Sequence, residues 1–396
     1  MNKLTEACLM ADETNVKDDI ARGGSGDGRF IYDRWMESQN VPIHRGYFIE
    51  DLRTIEVGPW HERECNAAFI QVSGMEGVAE ARLTELPPGV SAPPMKFALD
   101  EIVYTVSGHG IATVWTNGVD KHSFEFGPRS LFLIPRGAHR QFANARGDQS
   151  LRMLHNNYLP VAMSLEPDPE FFFNNPFEHP ELLRPSEQEL YAVAKRAPAM
   201  GRGATWYGNF FTDMAAWNDL VPHRQRGGGG HVVDVAFPNS QMGGHMSVFP
   251  PGTYKKGHRH GPGRVIVIPA GEGYSIMWPE GGEKIIAPWH EGSMFTPPDR
   301  WFHQHFNVSV EPARYLALAP LPQFSGHSEK VEDRARDQIE YTLEEKWIRE
   351  KFEEELSNRG LESLMPEEAY QNADYKWEYA SGEERGAVLG TKGADR

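Results

Sequence analysis

Four histidines stand in two pairs, His258 with His260 and His303 with His305, and within each pair the residues are two apart. On a strand, residues i and i+2 point to one face. Two such strands in a small barrel, each aiming imidazoles inward, would converge on one ion. Imidazole suits iron, manganese, nickel, copper and zinc, and does not suit magnesium or calcium. An isolated pair of this kind more often sits on a wet barrel mouth, whereas two pairs in register favour a metal. The spacing therefore predicts one divalent transition metal on His258, His260 and His303. His305 shares the inward face with His303 on a regular strand. Its open roles are a fourth ligand, a hydrogen-bond partner behind the ligands, or an acid–base group. Arg264 cannot ligate a cation; its fixed charge would steer a carboxylate or phenolate toward one, or form an ion pair with Glu272 or Glu291. Tyr274, Trp278, Phe295 and Trp301 read either as the lining of an aromatic pocket or as plain core. His245, Arg300 and Gln304 complete the candidate substrate contacts.

The elements that must position these residues emerge from an internal repeat. LPPGVSAPPMKFALDEIVYTVSGHGIATVW begins at Leu86, and FPPGTYKKGHRHGPGRVIVIPAGEGYSIMW begins at Phe249, an offset of 163 (249 − 86). At that offset Pro87, Pro88 and Gly89 match Pro250, Pro251 and Gly252. Ser130, Phe132, Pro135, Gln141 and Asn144 match Ser293, Phe295, Pro298, Gln304 and Asn307, with no gap between. Short β-branched runs ending in glycine, such as IVYTVSG, are strands. Evenly spaced strands with turn signals predict an all-β chain of two tandem barrels. Around them lie an arm with a short helix near Tyr32 to Ser38 and a long connector with a helix at SEQELYAVAKRA. A tail follows that reads as one helix from Glu329 to Arg359, with Ile339, Leu343 and Trp347 as its apolar stripe. The expected division is an arm over 1–60, barrel one over 61–160, a connector over 161–240, barrel two over 241–325, and a helical tail with a disordered end over 326–396.

Gly252, His258, His260 and Gly271, then Gly292, Pro298, His303 and Asn307, resemble the two motifs of the cupin superfamily. Arg264 stands where that family places a glutamate ligand, and Arg300 replaces a glycine of the second motif. The resemblance covers both repeats and implies tandem cupin barrels, double-stranded β-helices of the jelly-roll type. Without the glutamate, the trio is neutral and an ion keeps its full charge, as in the three-histidine iron dioxygenases of the family. TPPDRWFHQHFN is similar to the third-ligand region of gentisate-type ring-cleaving dioxygenases, which carry their metal in the first barrel rather than the second. The resemblance thus implies Fe(II), with manganese, nickel or zinc as alternatives, together with dioxygen and a small anionic, aromatic substrate. Redox-neutral lyases, isomerases and hydrolases, and non-catalytic binding or storage proteins, share the fold.

In the first repeat the ligand positions become Met95, Phe97 and Arg140, so barrel one is expected to hold no metal. Glu101 falls at the family's glutamate position. A lone charge inside a barrel is costly, so a Glu101–Arg140 ion pair packed by Met95 and Phe97 is expected to plug the vacated site. The formal net charge of −16 argues against nucleic acid. Two cysteines, Cys8 and Cys65, give no disulfide framework. The absence of an apolar leader or a membrane-spanning run predicts a cytoplasmic protein without a membrane partner. The amphipathic tail predicts a homo-oligomer.

Overall fold

The computed structural model describes residues 29–183, 191, 194–197, 204–216, 218–326 and 335–379. The GGSGDG stretch and the last seventeen residues lie outside them. Each repeat folds into eight strands. In the first these are β1 (Glu80–Leu86), β2 (Met95–Lys96), β3 (Glu101–Ser107), β4 (Gly110–Trp115), β5 (His122–Phe126), β6 (Leu131–Ile134), β7 (His139–Asn144) and β8 (Leu151–Asn157). In the second they are β9 (Gly243–Phe249), β10 (Gly257–His258), β11 (Val265–Ala270), β12 (Gly273–Trp278), β13 (Ile285–Trp289), β14 (Met294–Phe295), β15 (Phe302–Asn307) and β16 (Ala313–Leu318). The first eight pair as β1-β8-β3-β6 and β2-β7-β4-β5. The second eight repeat that order, β9-β16-β11-β14 and β10-β15-β12-β13. Two antiparallel four-stranded layers in this interleaved order are a jelly roll, so the fold is all-β with two tandem jelly-roll barrels.

Strand alternation sorts the side chains. In barrel two, Phe249, Ile266, Ile268, Phe295, Tyr315 and Ala317 form an inner cluster. Their strand neighbours Met246, Val248, Val265, Val267, Leu316 and Leu318 face out and join a core continuous with Leu83, Ile102, Tyr104 and Leu133 of barrel one. The two barrels are therefore fused along their larger sheets.

They also exchange strands. From the N-terminal arm, Ile43–Gly46 pairs with Cys65–Val72 beside β1, while Phe48–Ile49 crosses to pair with β14 of barrel two. From the connector, Phe210–Phe211 returns to pair with β6 of barrel one. His231–Ala236 extends the β9 edge of barrel two, and Thr205–Tyr207 lies beyond it. The arm helix is present over Ile31–Ser38, burying Tyr32, Trp35 and Met36. The helix expected at SEQELYAVAKRA is not seen where it is described: Lys195–Ala197 is a strand, and residues 186–190, 192 and 193 lie outside the described residues.

The tail departs from the single helix expected over 329–359. Among its described residues, Gln338–Ile339 is a strand paired with β10, Tyr341–Leu343 is a 3₁₀ turn, and the α-helix spans only Lys346–Ser357. Its buried stripe is Ile348, Phe352 and Leu356, while Leu343 is 76% exposed. The helical pattern lost to tertiary competition. Gln338 and Ile339 gain a sheet ladder, and Tyr341 inserts to donate a hydrogen bond to the Tyr254 carbonyl at 2.6 Å. The tail then covers the outer face of barrel two, packing on Tyr254, Tyr274, Trp278, Phe302 and Phe306.

Candidate metal centre

His258 on β10 and His303 on β15 are directly opposed in the ladder, and His260 follows β10. All three are buried. One ligand atom from each of the three lies within 4.8 Å of the others. The backbone decides which nitrogen faces inward. His258 Nδ1 lies 3.2 Å from the Lys256 carbonyl, His260 Nδ1 2.8 Å from the Gly261 carbonyl, and His303 Nδ1 3.1 Å from the Trp301 carbonyl. A carbonyl only accepts, so each Nδ1 carries the proton and each Nε2 keeps its lone pair. Burial, then the nearby Arg226 charge, holds the His258 pKa well below the ordinary imidazole value. The trio could bind a metal, and no carboxylate joins it among the described residues.

Arg226 is delivered by the connector. Gly227, Gly228 and Gly229 have φ of +67°, +65° and +65°, a left-handed run that only glycine adopts cheaply. A Cβ on Gly228 would lie 2.6 Å from the Tyr254 carbonyl oxygen. The loop's Arg226 carbonyl accepts from Lys256 N at 2.9 Å, tying it to the strand that carries His258.

His305 faces the same interior but stands outside the trio. Its Nδ1 is 2.8 Å from Ser275 Oγ, which accepts from Trp289 Nε1 at 3.0 Å. Its ring lies 5.5 Å from His303 and 5.0 Å from Tyr315. Burial, then its neighbours His303 and Lys255, holds the His305 pKa well below the ordinary imidazole value. Phe295, 5.7 Å from the His305 ring, lies on the inner wall. Arg264 is buried just before β11 and lies near Tyr158, whose hydroxyl donates to the Ala319 carbonyl. His245 is buried, 5.8 Å from Tyr315.

Four expected substrate contacts, Gln304, Tyr274, Trp278 and Arg300, lie elsewhere, and Trp301 lies at the edge of the interior. Gln304 sits between two inward histidines, so the pleat turns it outward, where it donates to the Lys255 carbonyl and to Glu344. Tyr274 and Trp278 share that outer face, stacking on Phe306 and Phe302 beneath the tail. Trp301 is half-buried beside Tyr47 at the edge of the inner cluster. Arg300 pairs with Asp337 at 2.5 Å and bonds the Gly326 carbonyl. Its φ of +60° keeps the left-handed turn of the glycine it replaces.

Sequence reasoning missed a second polar group inside the barrel. Lys255 is fully buried; its Nζ donates to Ser247 Oγ and, at 3.0 Å, to Tyr315 Oη. A lysine in a loop-like YKKG string reads as exposed, since lysines are almost never buried. Only the inward parity of Ser247 and Tyr315 signalled a polar interior there.

Barrel one differs as expected at the equivalent positions. Arg140 Nη2 meets Glu101 at 3.0 Å, both side chains buried, with the Arg140 guanidinium 5.3 Å from the Phe97 ring centre. The plug is larger than a pair: Glu101 also takes Arg82 at 2.8 Å, His155 at 3.0 Å and Asn157 at 3.2 Å. It does not fill the barrel, where a cavity of 240 Å³ remains. His139, one position off, turns out to Glu178 and Trp115.

No protein-family profile matches this chain, and no curated protein matches it in sequence. Solved structures do. The Lactobacillus farciminis oxalate decarboxylase formate complex is 15% identical with a TM-score of 0.45, covering 72% of this chain and 88% of the other. Momordica charantia 7S globulin is 11% identical at 0.42, covering 69% and 83%. A mutant of Bacillus subtilis oxalate decarboxylase is 12% identical at 0.42, covering 77% and 83%. No helix among the described residues is long and apolar enough to cross a membrane.

Proposed function

We propose that barrel two is the active site of an Fe(II)-dependent dioxygenase that cleaves a carbon–carbon bond in a small anionic, aromatic substrate. The carrying observation is the donor set. Three imidazoles, each locked by a main-chain carbonyl, offer Nε2 lone pairs without adding negative charge. Such a set fits a soft-to-borderline divalent ion and leaves its charge available to an anionic ligand. Iron(II) held by His258, His260 and His303 would supply the reactivity toward dioxygen that no side chain has.

The chain's own groups do the rest. Arg226 and Lys255 bring positive charge to the interior and favour an anionic substrate. Lys255 donates to Tyr315 Oη, which fixes the phenol inside the barrel, 5.0 Å from the His305 ring. Donation from Ser275 to His305 Nδ1 would hold the imidazole proton on Nε2, where it can be handed to a reacting atom. Phe249, Phe295 and Ile266 keep water out.

The same proton-bearing trio of Lys255, Tyr315 and His305 favours a second reading, a redox-neutral lyase or isomerase using the ion as a Lewis acid. Metal analysis of protein expressed with iron, then oxygen uptake with catechols, hydroxybenzoates and β-diketones, separates the two. Iron occupancy abolished by His303→Ala, with oxygen consumed by the wild type, is the expected result. Turnover of such a substrate without oxygen uptake rules out the dioxygenase. Full metal occupancy in His303→Ala rules out the site.

A further inference from the structure

The cavity of barrel one is lined by the buried ion network on its inner side and by apolar side chains elsewhere. Three guanidiniums, Arg63, Arg82 and Arg140, border it. Two carboxylates answer them. Glu101 takes Arg82 and Arg140, and Glu80 takes Arg82. Burial pushes the Glu80 carboxyl above its ordinary value, so its negative charge is the less secure of the two. Burial and the neighbouring guanidiniums together lower the Arg63 pKa, with Arg82 and Arg140 both contributing. Within the buried part of the cluster three guanidiniums thus face two carboxylates, while Glu62 and Glu64 on the same cavity are exposed.

The hydrogen bonds show the same deficit. Arg140 is 1% exposed, yet its Nε and Nη1 have no acceptor among the described residues, and neither does Arg63 Nε. Buried N–H groups without partners are costly, more so when charged. Glu80 Oε2 in the same network is also unmatched, but Glu80 does not line the cavity, so the donors of Arg140 and Arg63 that border it have no acceptor there. Ala92, Pro94, Met95 and Met153 also line the cavity, Met95 directly beside Arg140 in the ladder. Glu62 and Glu64 stand exposed at the mouth. They disfavour a ligand with a second negative charge at its outer end. A volume of 240 Å³ holds about eight water-sized groups at 30 Å³ each.

We propose that barrel one is a binding site for a small monocarboxylate with an apolar body, its carboxylate on Arg140 and Arg63 and its body against Ala92, Pro94 and Met153. The site is separate from the histidine trio and does not depend on the reaction assigned to barrel two. Vacating the metal ligands left an anion receptor in place of a packed core.

The test is isothermal titration of the full-length, metal-loaded protein with benzoate. Saturable one-to-one binding with Kd between about 0.1 and 1 mM is expected. Benzamide, of the same shape without the charge, should bind at least about tenfold more weakly, a difference of about 1.4 kcal/mol. Arg140→Gln removes the charge, and Ala92→Phe fills the cavity without touching an ion pair. Each should weaken benzoate at least about tenfold. His303→Ala should leave the affinity unchanged, which separates this site from the metal centre. Absence of benzoate binding up to about 10 mM overturns the proposal. So does wild-type affinity in a folded Ala92→Phe, or binding that His303→Ala alone removes. Phosphate binding as tight as benzoate overturns the apolar half of it.

Discussion

Removing either partner of the Glu101–Arg140 pair should have very unequal effects. Glu101 receives four donors, from Arg82, Arg140, His155 and Asn157. Neutralising it in Glu101→Gln leaves Arg140 without a charged partner among the described residues and Arg82 with Glu80 alone. Breaking a buried pair in this way costs about 3–5 kcal/mol. In Arg140→Met, by contrast, Glu101 keeps three donors. One charge-assisted hydrogen bond is lost, worth about 1.5–3 kcal/mol, while two buried N–H groups without acceptors disappear, each a penalty of about 1–3 kcal/mol. The terms nearly cancel, and the net cost should be under about 1 kcal/mol. Urea unfolding at pH 7, extrapolated to water, reads both values. The double variant Glu101→Gln/Arg140→Met should recover about half of the Glu101→Gln loss, because the stranded cation is gone. An Arg140→Met cost equal to that of Glu101→Gln, or strict additivity, refutes the reasoning. The sign with pH follows from the same contacts. Its cationic neighbours hold the Glu101 pKa well below the ordinary 4.5 despite burial, so its contribution is present above that value and is lost as pH falls below it. Glu101→Gln should therefore flatten the acid limb.

Three further outcomes are expected. Tyr315→Phe should keep full metal occupancy while lowering kcat by about 10²-fold or more, as removal of a proton donor does; an unchanged kcat would exclude Tyr315 from proton transfer. Glu344 is pushed up to about 7 by burial, so its contribution is complete below its unfolded value near 4.5 and fades as pH rises through 7. Glu344→Gln, which mimics the neutral acid, should gain up to about 3 kcal/mol relative to wild type between pH 5 and 8 by chemical denaturation, and a pH-independent difference would contradict this. Truncation after Ile339 uncovers Tyr254, Tyr274, Phe302 and Phe306, and should lower both the melting temperature and metal retention; an unaltered melt and metal content would show the tail to be dispensable.

The repeat was legible because strand pairing order is written in the spacing of turns. The offset that maps Leu86 to Phe249 also maps the strand order of one barrel onto the other. The histidine trio was legible for the same reason, since period-two alternation fixes a face. That alternation also condemned Gln304, whose two inward neighbours force it outward, and a strict reading of the strand would have excluded it from the start. Tyr274 and Trp278 were harder: both faces of β12 are buried, one by the barrel and one by the tail, and hydrophobicity alone does not tell them apart. Lys255 was illegible because its burial depends on partners eight and sixty residues away. The tail helix was overcalled because its register satisfies a helical period that the β10 edge overrides at Gln338 and Ile339.

The crossed edges of the two barrels carry a consequence for how the chain is made. Phe48–Ile49 must wait for β14, about 245 residues later, and β6 must wait for Phe210–Phe211. At a synthesis rate of about 5–20 residues per second, the early strand stays unpaired for tens of seconds after it leaves the ribosome. Barrel one closes its edge once the connector is made, but Phe48–Ile49 waits for barrel two, so the Phe48 edge above all is where a nascent chain is open to wrong pairing or to chaperone capture. Cutting the gene just before barrel two would then leave barrel one complete and barrel two without the edge strand Phe48–Ile49, which it regains only by finding the other half.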